Sequence, residues 1–325
     1  MKYLVTATTL LGICSTLSIG AELKVQVING TTEGAAVTDD EVIVQIYEDR
    51  YLLHTFSARA NAEGRAVFEN VPEGEHLTAV ARARHQDMMF TCRGVSLRPS
   101  EDGHVASVQV FDVSTDKSKL SVGTHHLIVK VKPGSLEITE YMQLKNSSDF
   151  AITSSEKDEQ DRTIVLHIKL PRGFKNLRAL SYFEADALVV TDEGFYDTMA
   201  IPPGEQHITF SYTLDVTSQV MGFAKTISLR TSEFVLFAEL GAAKIHGLGQ
   251  IAEQAARSSG EFIQYYTRAD LAAGEEVAFQ LVNLDVGSSG LAKWIIAGAV
   301  ISAIVVLVIL RLSPKEKAND NSEQR

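Results

Sequence analysis

Apolar and polar residues alternate with a period of two along most of this chain. Lys24-Val25-Gln26-Val27 alternates, and Val42, Val44 and Ile46 fall on one side of the next run. Ala106, Val108, Val110 and Asp112 oppose Val105, Ser107, Gln109 and Phe111. Ile164, Leu166, Ile168 and Leu170 share a side, as do Ile208, Phe210, Tyr212 and Leu214, and Glu276 to Leu281 is the last clear alternation. Successive side chains of a strand point to opposite faces, so each run buries one face and wets the other. The breaks carry turn chemistry at Asn29-Gly30, Glu63-Gly64, Pro72-Glu73-Gly74, Asp102-Gly103, Lys132-Pro133-Gly134, Pro202-Pro203-Gly204 and Ala273-Gly274. Many short alternating runs between such turns predict antiparallel sheets packed as sandwiches. Ala242 to Gly260, rich in Ala, Gly and Gln, departs from the pattern. It predicts an insertion or long loop, with two helical turns over Gln250–Arg257.

The two ends read differently. Tyr3 to Ile19 carries no charge, and the leader ends in Ser18-Ile19-Gly20-Ala21 before Glu22, which predicts a signal peptide over residues 1–21. A lipid attachment at Cys14 would need a small residue before it, and Ile13 is not small, so plain cleavage is expected. Trp294 to Leu310 is also free of charge. At ~1.5 Å per residue it spans about 26 Å, slightly less than a ~30 Å hydrocarbon core. Lys293 and Arg311 flank it and can snorkel, and Trp294 stands where an interfacial aromatic belongs. A polar tail follows, so a buried helix is the poorer reading. The span predicts a transmembrane helix over Trp294–Leu312, contacting the lipid bilayer. Arg311, Lys315 and Lys317 beyond it put the tail in the cytoplasm and the N-terminal part outside, as in a single-pass bacterial inner-membrane protein. Gly298 and Ser302, like Ala299 and Ala303, put small residues on one helix face, a spacing that permits self-association.

The polar run Ser114-Thr115-Asp116-Lys117-Ser118-Lys119 lacks a large apolar side chain and predicts a boundary. The expected organisation is a first sandwich over 22–114, a linker over 115–119, and a second sandwich over 120–286. A tether over 287–293, the membrane helix over 294–312 and a tail over 313–325 complete it. The fold class is therefore all-β, two extracytoplasmic sandwiches followed by one C-terminal transmembrane α-helix.

The chain has 325 residues and a formal net charge of −11. Lys2, Lys293, Arg311, Lys315, Lys317 and Arg325 all lie in the ends, so the exported part is more acidic still. No basic face is available to neutralise phosphates, which excludes nucleic acid as an expected partner. Two cysteines exclude a disulfide scaffold, and removing the leader leaves Cys92 alone.

The run Ala60-Asn61-Ala62-Glu63-Gly64-Arg65-Ala66-Val67-Phe68-Glu69-Asn70-Val71-Pro72-Glu73-Gly74 resembles the carboxypeptidase regulatory-like (transthyretin-like) family. That family reads threonine, small, acidic, glycine, then an apolar strand ending in a proline–glycine turn. Here Ala60-Asn61 replaces the usual Thr-Asp, while Asn29 to Gly34 before the strand Val42–Tyr47 also fits. The resemblance implies a seven-stranded sandwich serving as an accessory or binding module, with Gly64 at a hairpin turn and Phe68 in the core. It brings no catalytic residues. The second domain, with His125 to Val131 and Leu136 to Leu144, is similar to an immunoglobulin-like sandwich in its pattern. The whole arrangement is similar to bacterial envelope proteins of unassigned role.

Catalytic motifs are absent from the sequence. There is no His-Glu-x-x-His helix, no Gly-x-Ser-x-Gly elbow and no phosphate loop, and none of the nine histidines has Glu three residues on. The one grouping with metal chemistry is His85, Met88, Met89 and Cys92, the donor types that suit Cu(I). On a strand His85 and Met89 share a face while Met88 and Cys92 take the other, so a core strand is the stronger reading and no metal site or cofactor is assigned. His125 and His126 point to opposite faces and chelate poorly. Asp186, Asp192-Glu193 and the run 156–161 lack the spacing of a calcium loop. Asn29 and Asn146 begin glycosylation sequons. Tyr182, Phe183, Phe195 and Tyr196 are the candidate aromatic platform for a sugar. The expected function is a non-enzymatic, membrane-anchored module for protein–protein interaction or envelope-complex assembly. A carbohydrate- or metal-binding envelope module is the alternative.

Overall fold

The computed structural model describes residues 20–239, 243–255 and 262–286. Among them are 23 strands and one short 3-10 turn, Lys117–Lys119, and no α-helix. The expected leader, apart from Gly20 and Ala21, lies outside the described residues. So do the expected membrane helix Trp294–Leu312, its Gly298 and Ser302, and the tail. Among the described residues no helix is long and apolar enough to cross a membrane.

Two compact units account for the chain. Of the described residues, the first holds those up to Lys117 with Ser147–Val165 and Met199–Pro203, and the second holds Ser118–Asn146, Leu166–Thr198 and those from Gly204 on. The first unit carries β1 (Ala21–Asn29), β2 (Glu41–Glu48), β3 (Tyr51–Arg59), β4 (Arg65–Val71) and β5 (Leu77–His85). It continues with β6 (Met88–Thr91), β7 (Val95–Ser96), β8 (His104–Val110) and β9 (Val113–Ser114). Then β10 (Leu120–Lys132) and β11 (Ser135–Asn146) belong to the second unit, and β12 (Ala151–Ile152) returns to the first. The second unit goes on with β13 (Leu166–Lys169), β14 (Lys175–Ser181), β15 (Leu188–Thr191), β16 (Gly194–Asp197) and β17 (Gly204–Asp215). It ends with β18 (Val220–Thr226), β19 (Thr231–Glu239), β20 (Lys244–His246), β21 (Ala252–Ala255), β22 (Phe262–Leu271) and β23 (Glu276–Val282).

In the first unit a sheet of order β4-β1-β8 faces one of order β3-β2-β5-β6, with β7 on β5. Leu23, Val25 and Val27 of β1, Phe68 of β4, and Ala106, Val108 and Val110 of β8 fill one inner face. Val42, Val44 and Ile46 of β2 and Ala79, Ala81 and Ala83 of β5 fill the other. All are under 5% exposed. Burying each of the larger apolar side chains contributes about 1.5–3 kcal/mol. The three small alanines of β5 let the sheets close onto the branched residues opposite. A period of two in the sequence thus became a dry layer between two sheets.

The chain does not divide at residues 115–119 alone. Ala151 N–H donates to the Asp112 carbonyl and Thr153 N–H to that of Ser114, both at 2.8–2.9 Å. Ile152 bridges Ile201, and Ala151 and Ala200 are buried in the first core. Two short apolar dipeptides, Ala151-Ile152 and Ala200-Ile201, bring later segments back to the first unit because burying them there is favourable.

The second unit is built on a seven-stranded sheet of order β14-β17-β11-β10-β19-β22-β21, with three-stranded sheets β13-β16-β15 and β18-β23-β20. Leu136, Ile138 and Leu144 of β11, Phe210 and Tyr212 of β17, and Phe234 and Leu236 of β19 are buried to within 1%. Phe195 of β16 meets Phe210 edge-on, with ring centroids 5.0 Å apart. Both units depart from purely antiparallel pairing: β1 runs parallel to β8, β10 to β19 and β9 to β12. Alternation alone sets which face is buried and says nothing of strand direction, so the sequence could not distinguish the two. The two helical turns expected over Gln250–Arg257 are corrected as well. Ala252–Ala255 is a strand paired with β22, because a sheet edge supplies backbone partners that outweigh the helix preference of Ala and Gln.

Gly194 shows how tightly the smaller sheet is drawn. Asp192 and Glu193 turn the chain from β15 to β16, and Gly194 then sits at φ 142°, with any Cβ pressed against the Ile168 carbonyl oxygen. Gly194→Ala is expected to lower stability by about 2 kcal/mol through the strained φ and the backbone clash. Chemical denaturation checks it: an unchanged urea midpoint would refute the close approach.

Candidate functional site

The β5–β6 hairpin carries the donor set singled out in the sequence. Gln86 and Asp87 both have positive φ, 46° and 65°, the paired left-handed conformation that a two-residue hairpin loop demands. His85 is thereby set opposite Met88 and Arg84 opposite Met89. The four side chains do not converge. Met88 packs on the first core and its sulfur accepts a hydrogen bond from Thr153 Oγ1 at 3.7 Å. Cys92 Sγ accepts from Ala81 N–H at 3.3 Å and donates to the Arg93 carbonyl at 3.1 Å. Among the described residues no group of three His, Cys, Asp or Glu is placed to hold a metal ion.

His85 is instead the centre of a polar clamp. Its Nδ1 lies 2.8 Å from Asp40 and its Nε2 2.9 Å from Asp112, with the side chain 3% exposed. The carboxylates stand at opposite nitrogens of one ring, so their oxygens cannot meet at a common point. Burial holds the Asp40 carboxyl above its ordinary range, against the pull of its hydrogen bond and charge interaction with His85. Burial also pushes Asp112 up, but hydrogen bonds from His85, Ala35 N–H and Asn29 outweigh it and hold its carboxyl below the usual range. Two acceptors flanking one ring need two protons between the ring and Asp40. The clamp ties β5 to the loop ends of both sheets, and Asn29, first residue of a sequon, spends its amide on Asp112 and the Ala35 carbonyl at 2.8 Å each.

The strongest polar cluster was not singled out in the sequence. Glu140 of β11 is fully buried in the second unit, with Lys225 Nζ of β18 at 2.8 Å and His125 Nε2 of β10 at 2.8 Å. Tyr212 of β17 donates to the same carboxylate at 3.0 Å, and Lys225 also donates to the Lys169 carbonyl at 3.1 Å. Burial alone would raise Glu140; the Lys225 charge and the His125 hydrogen bond dominate and bring it down to about 2. Burial lowers His125, against its hydrogen bond to the Glu140 carboxylate, which raises it. Burial pushes the Tyr212 hydroxyl well above its ordinary value, and the Glu140 charge adds to this. The group is sealed from solvent, so it braces four strands and reaches no substrate. Its signal was in the sequence: Glu140 occupies the phase of Leu136, Ile138, Met142 and Leu144.

The opposite face of the same strands carries a different arrangement. His126, unlike buried His125, points outward, and a band of rings crosses five neighbouring strands: His207, Tyr141, His126, Phe237 and Tyr265. Centroid separations run 5.9, 5.7, 5.2 and 6.3 Å along it. His126 faces Tyr141 directly, and Phe237 faces Tyr265. The platform residues expected from sequence do not form such a surface. Phe195 and Tyr196 are buried, Phe183 packs edge-on against Phe195 at 5.3 Å, and burial drives the Tyr182 hydroxyl far above its usual range.

One strand edge is also open. Among the described residues β3 pairs with β2 alone, and Tyr51, Leu52 and Leu53 on it are 77%, 50% and 44% exposed. The backbone groups on its free side are unpaired in the sheet.

No protein-family model matches this chain, and no curated protein matches it. Among solved structures it aligns with the full-length major pilin SpaD from Corynebacterium diphtheriae over 84% of each chain, at 10% identity and a TM-score of 0.23. A likeness this loose assigns neither a fold family nor a role. The all-β architecture rests on the strands themselves.

Proposed function

We propose that this chain is a non-enzymatic, membrane-anchored interaction protein whose first sandwich takes up an extended segment of a partner protein along β3. The open, apolar β3 edge carries this reading. An edge strand offers a row of backbone donors and acceptors to an incoming strand, and soluble proteins usually blunt such edges with charge or proline. Here Tyr51, Leu52 and Leu53 leave it unprotected. The first unit is taken as a carboxypeptidase regulatory-like module. In support, Phe68 is 4% exposed within the core and Gly64 adopts φ 73°. The hairpin expected at Gly64 is corrected: its turn carries the chain from β3 in one sheet to β4 in the other, and the two strands do not pair. The apolar leader and the span Trp294–Leu312 support placement outside the cytoplasm, tethered to a bacterial inner membrane, with Gly298 and Ser302 on one face of the anchor.

A photo-cross-linking residue at Tyr51 in the full chain, activated in native membranes, is expected to trap a discrete protein adduct. The same residue at Ser107 of β8 should trap none. Leu53→Lys should reduce the Tyr51 adduct at least tenfold by putting a charge on the edge. Equal adducts from both positions, or an adduct indifferent to Leu53→Lys, would rule the edge out.

A further inference from the structure

The outer face of the seven-stranded sheet is a sugar-binding surface, we propose, taking a neutral β-1,4-linked oligosaccharide across the Tyr141–His207 pair. This stands on the second unit and does not use the β3 edge. Leu136, Ile138, Glu140, Met142 and Leu144 of β11 face the core, so Tyr141 between them faces away; Ile208 and Phe210 place His207 likewise. Tyr141 is half-buried and His207 exposed.

The geometry of that pair is what points to a sugar. The two ring planes are within 19° of each other and the Tyr141 hydroxyl lies 2.7 Å from His207 Nδ1. The separation between nearly parallel planes cannot much exceed the length of that bond. Most of the 5.9 Å between centroids is therefore sideways displacement. The rings therefore lie side by side in nearly parallel planes, with little of either face covered by the other. Aromatic pairs prefer offset-stacked or T-shaped contacts, which cover a ring face; this pair is joined by a hydrogen bond instead and keeps its faces available. A hydrogen-bonded plate two rings wide matches the flat C–H face of a pyranose whose substituents are all equatorial.

Polar groups ring the plate in the way such a ligand needs. The Tyr141–His207 hydrogen bond occupies Nδ1 and leaves Nε2 to meet a sugar hydroxyl, as donor or acceptor according to the tautomer. Gln143, directly across from His207, donates to Glu205 at 3.0 Å. That bond fixes both side chains and keeps the Gln143 carbonyl oxygen and the second Glu205 oxygen as acceptors. A few fixed polar groups around an apolar platform give orientation and specificity. Beyond Tyr141 the band continues through His126 and Phe237 to Tyr265. It crosses four strand spacings of ~4.8 Å, room for several sugar rings in a row.

Titration calorimetry of the full chain in detergent micelles against cellohexaose and chitohexaose tests this. At least one is expected to bind, with Tyr141→Ala weakening it tenfold or more and the exposed His207→Ala three- to tenfold. Tyr141→Phe, which keeps the ring and loses the hydroxyl, should cost two- to threefold. Leu53→Lys, in the other unit, should leave sugar binding unchanged, which separates this site from the β3 edge. Thermal melts of each variant report whether the fold survives, and His207→Ala keeps the test sound if Tyr141→Ala does not. Absence of binding to both sugars, or binding untouched by His207→Ala and Tyr141→Phe, would overturn the proposal. So would a protein captured on this face with both sugars inert.

Discussion

Lys225→Met is expected to destabilise the second unit by about 3–5 kcal/mol, the cost of leaving a buried charge without its partner. Glu140 is fully buried, and among the described residues Lys225, at 2.8 Å, is the one Lys or Arg paired with it. Without it, the His125 and Tyr212 hydrogen bonds face a carboxylate that the low-dielectric interior disfavours. The carboxyl would then have to take up a proton or the core would open. Glu140→Leu alone should cost a similar amount for the opposite reason, an unpaired ammonium. The double variant Glu140→Leu/Lys225→Met removes both charges and fills the space with apolar atoms, and should recover most of the loss. Hydrogen exchange of peptides from β10, β11 and β18 reads this unit directly. If the single variants protect those amides as well as the wild type does, the ion pair is not what braces the strands. If the double variant is as damaged as the sum of the singles, the coupling is absent.

The same cluster should make the second unit acid-labile over a defined range. Burial lowers His125 in the folded state, so below pH 6.5 the unfolded chain takes up a proton that the folded one refuses, and stability falls. Glu140 moves from 4.5 to about 2 on folding, chiefly through Lys225 and His125 working against burial. A depressed carboxylate contributes stability that is fully present above its unfolded value and is lost as pH falls through the folded one. The Glu140 share, about 3 kcal/mol, therefore disappears between pH 4.5 and about 2. Both groups act with the same sign, so the loss begins near pH 6.5 with His125 and steepens below 4.5. Urea midpoints followed by exchange in β11 should fall steadily across that range. The Glu140→Leu/Lys225→Met protein should show a shallower decline below pH 4.5. A wild-type midpoint equal at pH 7 and pH 3 would contradict the assignment.

The legibility of these features in the sequence was uneven, for physical reasons. Strand faces were readable because a sheet buries every second residue: Val42, Val44 and Ile46 are all at 0% exposure, as their phase implied. Turn glycines were readable because few other residues adopt positive φ, as at Gly64, Gly134 and Gly274. The opposite orientations of His125 and His126 followed from the same rule. The metal-donor grouping around His85 broke up because its partners lie far away in sequence, at Asp40 and Asp112. Read as one strand, the segment put Met88 on the face away from His85; the Gln86-Asp87 turn instead sets the two opposite each other across a hairpin, and loop carboxylates from outside the segment fill the ring nitrogens.

Glu140 is the instructive miss. A glutamate in the phase of four apolar neighbours is visible in the chain, yet whether it is an exposed irregularity or a buried anion depends on what faces it. Lys225 lies on a strand 85 residues away, in a different sheet. The aromatic band has the same character, since His207, Tyr141 and Phe237 become neighbours only through register.

By itself the sequence determined the all-β class and the inner and outer faces of its main strands. It did so because alternation, glycine conformation and side-chain polarity are local properties of the chain. Tertiary structure decided the parallel pairings of β1 with β8 and β10 with β19, and the return of Ala151-Ile152 and Ala200-Ile201 to the first unit. It also decided the sealing of Glu140 with Lys225 and the plate formed by Tyr141 and His207. Each of these depends on which distant strands become neighbours and in what register, and a period-two pattern is the same for every choice of partner.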